Sequence, residues 1–445
     1  MITQSIVRTL ILTFLYFFYL YSFQIPGTSM GTVLPSLCIM LLCAFFMRFH
    51  CKISMGVMTK HMVKQYVYWN VFLLIYVFFV LQTFGEGNGT TPLKDYVQMI
   101  IILPVFFYSG NVIFRNLNEL MTVLYLGVII QSIIIIIALF MPALTLFLFA
   151  LIPEGGYNTD HFGGINMITQ HGYHIGLGVF TSAGSIKMAF GQVSSFYYLI
   201  KSRNNRILLH IILFLVIAVA SSVVSRTGML ISIVGLTIVI FVKYKQKGKR
   251  ALNFVLLLSG LFFVSIYLSS IFMPSDFFSE TFMRIIDLSE RGAKDTYFAG
   301  FTGDVGENVI PPISGNTLLG LGITYGVSGT GVTTYTDGGF MRNYSAMGLF
   351  VAIINYFLIF SFLKKQFKRN LVYNNKYIVL LLSLILLIGE FKESCVYFIY
   401  PICFIFLIFS LMEKDSFDNS LSTDLNINSK NRFISVPLKW DELNN

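Results

Sequence analysis

The chain divides into long apolar runs separated by short polar gaps, and the runs do not alternate apolar with polar residues. Val123 to Leu139, for example, is broken only by Gln131 and Ser132. A helix needs roughly 20 apolar residues to cross hydrocarbon at 1.5 Å rise each, whereas a membrane-barrel strand would alternate. Spans fit at Val7 to Phe23, Thr32 to Arg48, Tyr66 to Phe84, Val97 to Phe114, Met121 to Met141, Ile186 to Ile200, Ile207 to Val224, Gly228 to Val242, Leu252 to Met273, Tyr344 to Leu363, Tyr377 to Ile388 and Val396 to Met412. The pattern predicts an all-α, polytopic integral membrane protein with about 12 transmembrane helices in one domain, residues 1–412.

Charge fixes the expected orientation. Lys and Arg gather in every second gap: Arg48, Lys52, Lys60 and Lys64; Arg115; Lys201, Arg203 and Arg206; Lys243, Lys245, Lys247, Lys249 and Arg250; then Lys364, Lys365, Lys368, Arg369 and Lys376. Positive loops are retained on the cytoplasmic side. Both termini are therefore expected there, with a polar tail over 413–445. The first span follows Met1 to Ser5 directly, carries Arg8 and lacks a small-residue cleavage site, so it is expected to stay uncleaved.

Two of the outward gaps are long, about 154–185 and 274–343. The second holds eight acidic and four basic side chains, an excess of four negative charges that no inward gap shares. Within it Phe278, Phe282, Ile285 and Ile286 recur at helical spacing while Glu280, Arg284, Asp287 and Arg291 mark another face, which predicts an amphipathic helix. A solvated, salt-bridged stripe explains those charges as well as a binding role does.

Composition narrows the class. Of 445 residues 56% are apolar and 12% charged, with mean hydropathy +0.74, too little polar surface for a soluble domain. The formal charge of +10 sits in short clusters beside the spans, which points to topology and anionic membrane lipids rather than nucleic acid. Cys38, Cys43, Cys51, Cys395 and Cys403 all lie in or beside apolar runs, so no disulfide framework or metal site is indicated.

Candidate chemistry lies in the outward gaps. Ser225-Arg226-Thr227-Gly228 joins two spans on the side that disfavours arginine, and a guanidinium matches phosphate oxygens in pairs. Snorkelling into headgroups is the plain alternative. Thr336-Asp337-Gly338-Gly339-Phe340-Met341-Arg342-Asn343 leads into the tenth span and offers a carboxylate, a cation and backbone that a ligand can approach; Asp337 and Arg342 could equally pair, with Asn343 capping the helix. Glu390-Phe391-Lys392-Glu393 interrupts two spans, either as a site or as an exposed hairpin turn. His161, His171 and His174 stand beside Asp160, Tyr157 and Tyr173, and a histidine suits general-base work near neutral pH. Zinc is disfavoured because no cysteine or third fixed ligand is near them. The chain has no phosphate-binding glycine loop ending in Lys-Ser/Thr and no Asp-x-Asp pair, so an outward site would need a lipid-borne activated substrate.

The layout and the three motifs at Arg226, Asp337 to Arg342 and Glu390 to Lys392 resemble the O-antigen polymerase family of Gram-negative bacteria. The resemblance implies a metal-independent membrane glycosyltransferase without cofactor. Such an enzyme transfers the growing glycan from undecaprenyl pyrophosphate to a sugar hydroxyl of another undecaprenyl-pyrophosphate-linked repeat unit, in the periplasm. It implies pyrophosphate and glycan contacts from Arg226 and Arg342, with Lys392, Arg284 and Arg291 as further candidates, and a base among Asp337, Glu390 and His171. A chain-length regulator is a candidate partner. Some members carry paired loops with Arg followed eleven positions later by Gly, whereas here Arg284 is followed at that spacing by Asp295. An O-antigen ligase acting on lipid A core, a flippase for lipid-linked units and a subunit without activity are the alternative readings.

Overall fold

The computed structural model describes residues 2–23, 25, 31–48, 55–84, 91–151, 176–177, 181–202, 204–224, 226–247, 315–324, 326–329, 333–334, 338–370, 375–392, 395 and 400–416. The described residues are mostly helical. The helices are α1 (Ile2–Leu20), α2 (Val33–Arg48), α3 (Val57–Phe84), α4 (Leu93–Ile113), α5 (Leu117–Phe140), α6 (Pro142–Ala150), α7 (Thr181–Lys201), α8 (Asn204–Val224), α9 (Arg226–Lys247), α10 (Gly315–Leu319), α11 (Gly339–Met347), α12 (Leu349–Asn370), α13 (Lys376–Lys392) and α14 (400–416). Among the described residues one strand pair interrupts the helical pattern: β1 (Gly326–Val327) runs antiparallel to β2 (Thr333–Thr334), with Gly326 opposite Thr334.

Among the described residues four helices are long and apolar enough to cross a membrane, Val57–Phe84, Leu93–Ile113, Leu117–Ala138 and Leu349–Arg369. Shorter apolar helices cover Ser5–Leu20, Val33–Arg48 and Arg206–Ser222. Their outer faces leave large apolar side chains uncovered, among them Ile11, Phe46, Phe79 and Phe357, the last 72% exposed. A water-soluble protein does not present so wide an apolar surface, and lipid is the solvent that matches it.

The interior is built around α14, which is buried without a break from 401 to 413. A helix apolar on every side belongs in a core. Gly110 of α4 lets it approach, since a Cβ there would stand 2.7 Å from Leu407. Phe404 stacks its edge on Phe106 of α4 at 5.0 Å between ring centroids and faces Tyr16 and Tyr19 of α1. Around this centre α1 packs on α2 and α5, α4 on α2 and α3, and α7, α8 and α9 on one another; α13 packs on α7, α9 and α12.

Polar clamps hold the helix ends. Asn116 caps α5 by accepting from Glu119 N at 2.9 Å, and Glu119 returns to Arg115 N at 2.8 Å, one residue ahead of the usual capping box. Arg8 then ties α1 to this corner through Glu119 Oε1 at 2.8 Å and Ile113 O at 2.6 Å. Glu413 of α14 accepts from Met58 N, Thr59 N and Thr59 Oγ1, so its charge sits at the positive N-terminus of α3, and Arg369 of α12 completes the clamp at 2.7 Å.

Two of the boundaries that differ from the sequence reading shape the region around α11 and α13. The tenth span does not begin at Tyr344: residues 339–347 form α11, and α12 starts afresh at Leu349. Gly348 makes the break with φ 79°, closing α11 through its own N–H to Tyr344 O at 2.9 Å. Any side chain there would also strike the segment before β1, because a Cβ would lie 2.3 Å from Leu318 O. The eleventh span, in turn, does not stop at Ile388: α13 continues through Glu390 to Lys392. The ninth span, 252–273, the amphipathic stretch 278–291 and the tail 417–445 lie outside the described residues.

Candidate functional site

Three helices meet around one buried carboxylate. Glu390, in the last turn of α13, is 2% exposed, so the hairpin-turn reading of Glu390 is corrected: the helix carries this side chain into the protein instead of ending in solvent. A buried carboxylate is costly unless hydrogen-bonded, and two donors meet it here. Tyr356 Oη, two turns into α12, donates to Glu390 Oε1 at 2.5 Å. Asn343 Nδ2, in the middle of α11, donates to the same oxygen at 2.9 Å and to Tyr356 Oη at 2.6 Å. The hydroxyl therefore accepts from one neighbour while donating to the other, which sets the direction of the chain of bonds. Phe340 covers the tyrosine ring at 4.8 Å, and Tyr66 of α3 lies within electrostatic range of the carboxylate.

The break at Gly348 makes this geometry. It frees α11 to turn its buried face, Asn343 to Met347, onto α13 and α3 instead of continuing along α12. Residues 320–322 press against that helix: Leu321 N donates to Ser345 O at 2.7 Å and Gly322 N to Ala346 O at 3.1 Å. Gly320 has φ 96° and no room for a side chain, with Gly348 N 2.6 Å from where its Cβ would be. Tyr76 Oη fixes the segment to α3 by donating to Leu319 O at 2.6 Å. Beside the cluster, Trp69 Nε1 of α3 donates to Asn355 Oδ1 of α12 at 2.8 Å.

Of the residues named from the sequence, Glu390 and Arg342 belong to this region. Arg342 precedes Asn343 on α11, is partly exposed, and lies within electrostatic range of Asp95 in the first turn of α4. Asn343 does not cap a span; Gly338 is the N-cap of α11, and Asn343 holds Glu390 instead. Arg226 opens α9, but its side chain, like that of Lys392, lies outside the described residues, as do Asp337, His161, His171, His174, Arg284 and Arg291 entirely. The motif glycine beside Arg226 has a packing role: a Cβ on Gly228 would come within 2.4 Å of Ser221 O, so glycine is what lets α8 and α9 cross so closely. Beneath that turn Gln192 of α7 donates to Ser232 of α9 at 2.9 Å, and Ser232 donates to Gly228 O at 2.9 Å.

Tyr356 and Lys187 were not found from the sequence. Tyr356 gives no signal, being one aromatic among many in its span. Lys187 does: it is a lone cation inside the apolar stretch of α7, and it is 7% exposed.

Chemically, the cluster is a proton acceptor of fixed orientation away from bulk water, next to a helix that brings an arginine. Such a carboxylate can take the proton of a hydroxyl that approaches it. No protein-family model, curated protein or solved structure matches the chain.

Proposed function

We propose that the chain is a polytopic glycan polymerase of the O-antigen kind, acting on lipid-linked repeat units at the outward face of a bacterial inner membrane. In this reading both termini face the cytoplasm and the spans number about twelve, as the alternation of basic gaps implies. The observation that carries the proposal is the buried Glu390, oriented by Tyr356 and Asn343 at the end of α13 that the charge pattern assigns to the outward side.

The reaction follows from those groups. Glu390 takes the proton of the acceptor sugar hydroxyl as its oxygen attacks the anomeric carbon of the growing glycan. The bond from that carbon to the diphosphate oxygen breaks, and undecaprenyl diphosphate leaves with the electron pair. Direct displacement inverts the anomeric centre. Negative charge builds on the leaving group, and a guanidinium beside low-dielectric hydrocarbon stabilises it more than a water-exposed one. Arg226 and Arg342 are the cations assigned to that role.

The test is a gel of surface polysaccharide from a deletion strain complemented with variants. Glu390→Gln and Arg226→Ala should leave one repeat on the lipid core, without the ladder of long chains. Wild-type ladders in both variants would contradict the proposal; a bare core in the deletion strain would identify a ligase instead.

A further inference from the structure

Two basic clusters that belong to different gaps of the sequence come together at one end of the α3–α12 pair. Arg369 Nη1, in the last turn of α12, reaches Met58 Sδ in the first turn of α3 at 3.4 Å, and Gln366 Nε2 donates to Thr59 Oγ1 at 3.3 Å. Farther along, Trp69 of α3 bonds Asn355 of α12, so the two helices run antiparallel. Tyr66 and Phe362 both pack on Phe406 of α14, at 5.6 and 6.4 Å between ring centroids. Lys60 and Lys64 therefore stand on the beginning of one helix at the same end of the pair as Lys364, Lys365 and Lys368 on the other, and all five are exposed. The segments that carry them, 55–68 and 357–370, contain no Asp or Glu. Glu413, which lies between the two helix ends, is buried and accepts from Met58 N, Thr59 N and Arg369. Arg369 balances that carboxylate, and the five lysine charges stand in excess of it.

The exposed face of each helix changes character along its length. On α3, Lys60 and Lys64 lead at four-residue spacing to Tyr68 and Phe72, and on to Phe79, all exposed. On α12, Ile353, Phe357 and Phe360 lead to Lys364 and Lys368 at helical spacing, again all exposed. Both stripes are apolar along the spans and turn cationic at the same end. Tyr68 marks the transition on α3, and aromatic rings with a polar tip favour the headgroup level. A phospholipid has the same build, with acyl chains along its length and a phosphate at one end. A nucleic acid or a soluble anion would match the lysines and leave the apolar stripes without a partner.

We propose that this end of the α3–α12 pair is a binding site for an anionic phospholipid, with its phosphate among the five lysines and its acyl chains along the apolar stripes. The charge pattern assigns it to the inward side, whereas Glu390 is assigned to the outward side, so the site is separate from the proposed reaction and does not depend on it.

The experiment uses delipidated full-length protein in neutral detergent, titrated with phosphatidylglycerol, phosphatidylcholine and glycerol phosphate, with bound molecules counted by native mass spectrometry. Lys60→Gln with Lys64→Gln should weaken phosphatidylglycerol binding about tenfold, and Lys364→Gln with Lys368→Gln by a similar factor, with phosphatidylcholine binding unchanged. Arginine at the same positions should retain the affinity. If one double variant does not fold, the pair on the other helix gives the reading. Lys201→Gln with Arg206→Gln removes two exposed cations from another basic gap and should change the affinity less than about twofold. An equal loss in that control would show diffuse attraction and overturn the site. Wild-type affinity in both lysine pairs overturns it as well. Glycerol phosphate bound as tightly as the lipid would make the occupant a free anion, and paired copies of the chain that separate in the lysine variants, without lipid binding, would make it a second copy; either result overturns the lipid assignment.

Discussion

Tyr356 Oη and Glu390 Oε1 stand 2.5 Å apart, a separation at the short end for hydroxyl-to-carboxylate bonds, with Asn343 Nδ2 donating to both atoms. Removing the hydroxyl takes from the carboxylate the shorter of these two hydrogen bonds. Tyr356→Phe should therefore fold and keep some activity, with chain formation lowered about tenfold, because general-base efficiency depends on orientation. Quantified polysaccharide length distributions check this; full activity would show that Tyr356 does not position Glu390.

Gly348 and Gly320 cross with no room for a side chain on either, and both have φ in the left-handed region. Gly348→Ala should cost roughly 2 kcal/mol or more, the strain of a non-glycine residue at that φ plus displacement of Leu318 O. A lowered melting temperature in detergent, with loss of activity from misplacing α11, is the expected result. An unchanged melt would mean that the junction relaxes without cost.

Glu413 accepts two backbone N–H bonds at the start of α3 and an ion pair from Arg369, and it is 7% exposed. Glu413→Ala leaves those donors unmet and should destabilise the protein by about 2 kcal/mol or more, since a buried charge network loses its centre. Arg369→Ala should cost less, because its side chain is 40% exposed and water can replace it. Thermal unfolding of the two variants checks the order, and a reversed order would contradict this account of the clamp.

Arg226 stands at the junction of α8 and α9, which the charge pattern places outward. Ser225→Cys, in a background without the native cysteines, should react with an impermeant maleimide added to intact spheroplasts. Labelling only after the membrane is broken would put the turn in the cytoplasm and remove the proposed site from the outward face.

The sequence showed where apolar helices lie and left their ends and breaks to tertiary structure. The third span was read from Tyr66, yet α3 begins at Val57, because Lys60, His61 and Lys64 hide a helix that projects past an apolar run. The break at Gly348 is invisible to hydropathy: Ala346, Met347, Leu349 and Phe350 flank it without interruption, and its cause is contact with the distant Leu318 to Gly320. Glu390 was legible as an anomaly, but its burial depends on Asn343 and Tyr356, which are brought to it by the fold alone. Lys187 carried a readable signal, a charge within an apolar span; its contacts with Ser22 and Tyr400 did not, since distant parts of the chain supply them.

The most direct test is to supply purified full-length protein in nanodiscs with lipid-linked repeat units and follow release of undecaprenyl diphosphate. Wild type should extend the glycan, and Glu390→Gln should bind the lipid-linked donor normally while turning over at least about a hundredfold more slowly, the range expected on losing a general base. Extension by Glu390→Gln at the wild-type rate would contradict the assignment of this carboxylate as the base.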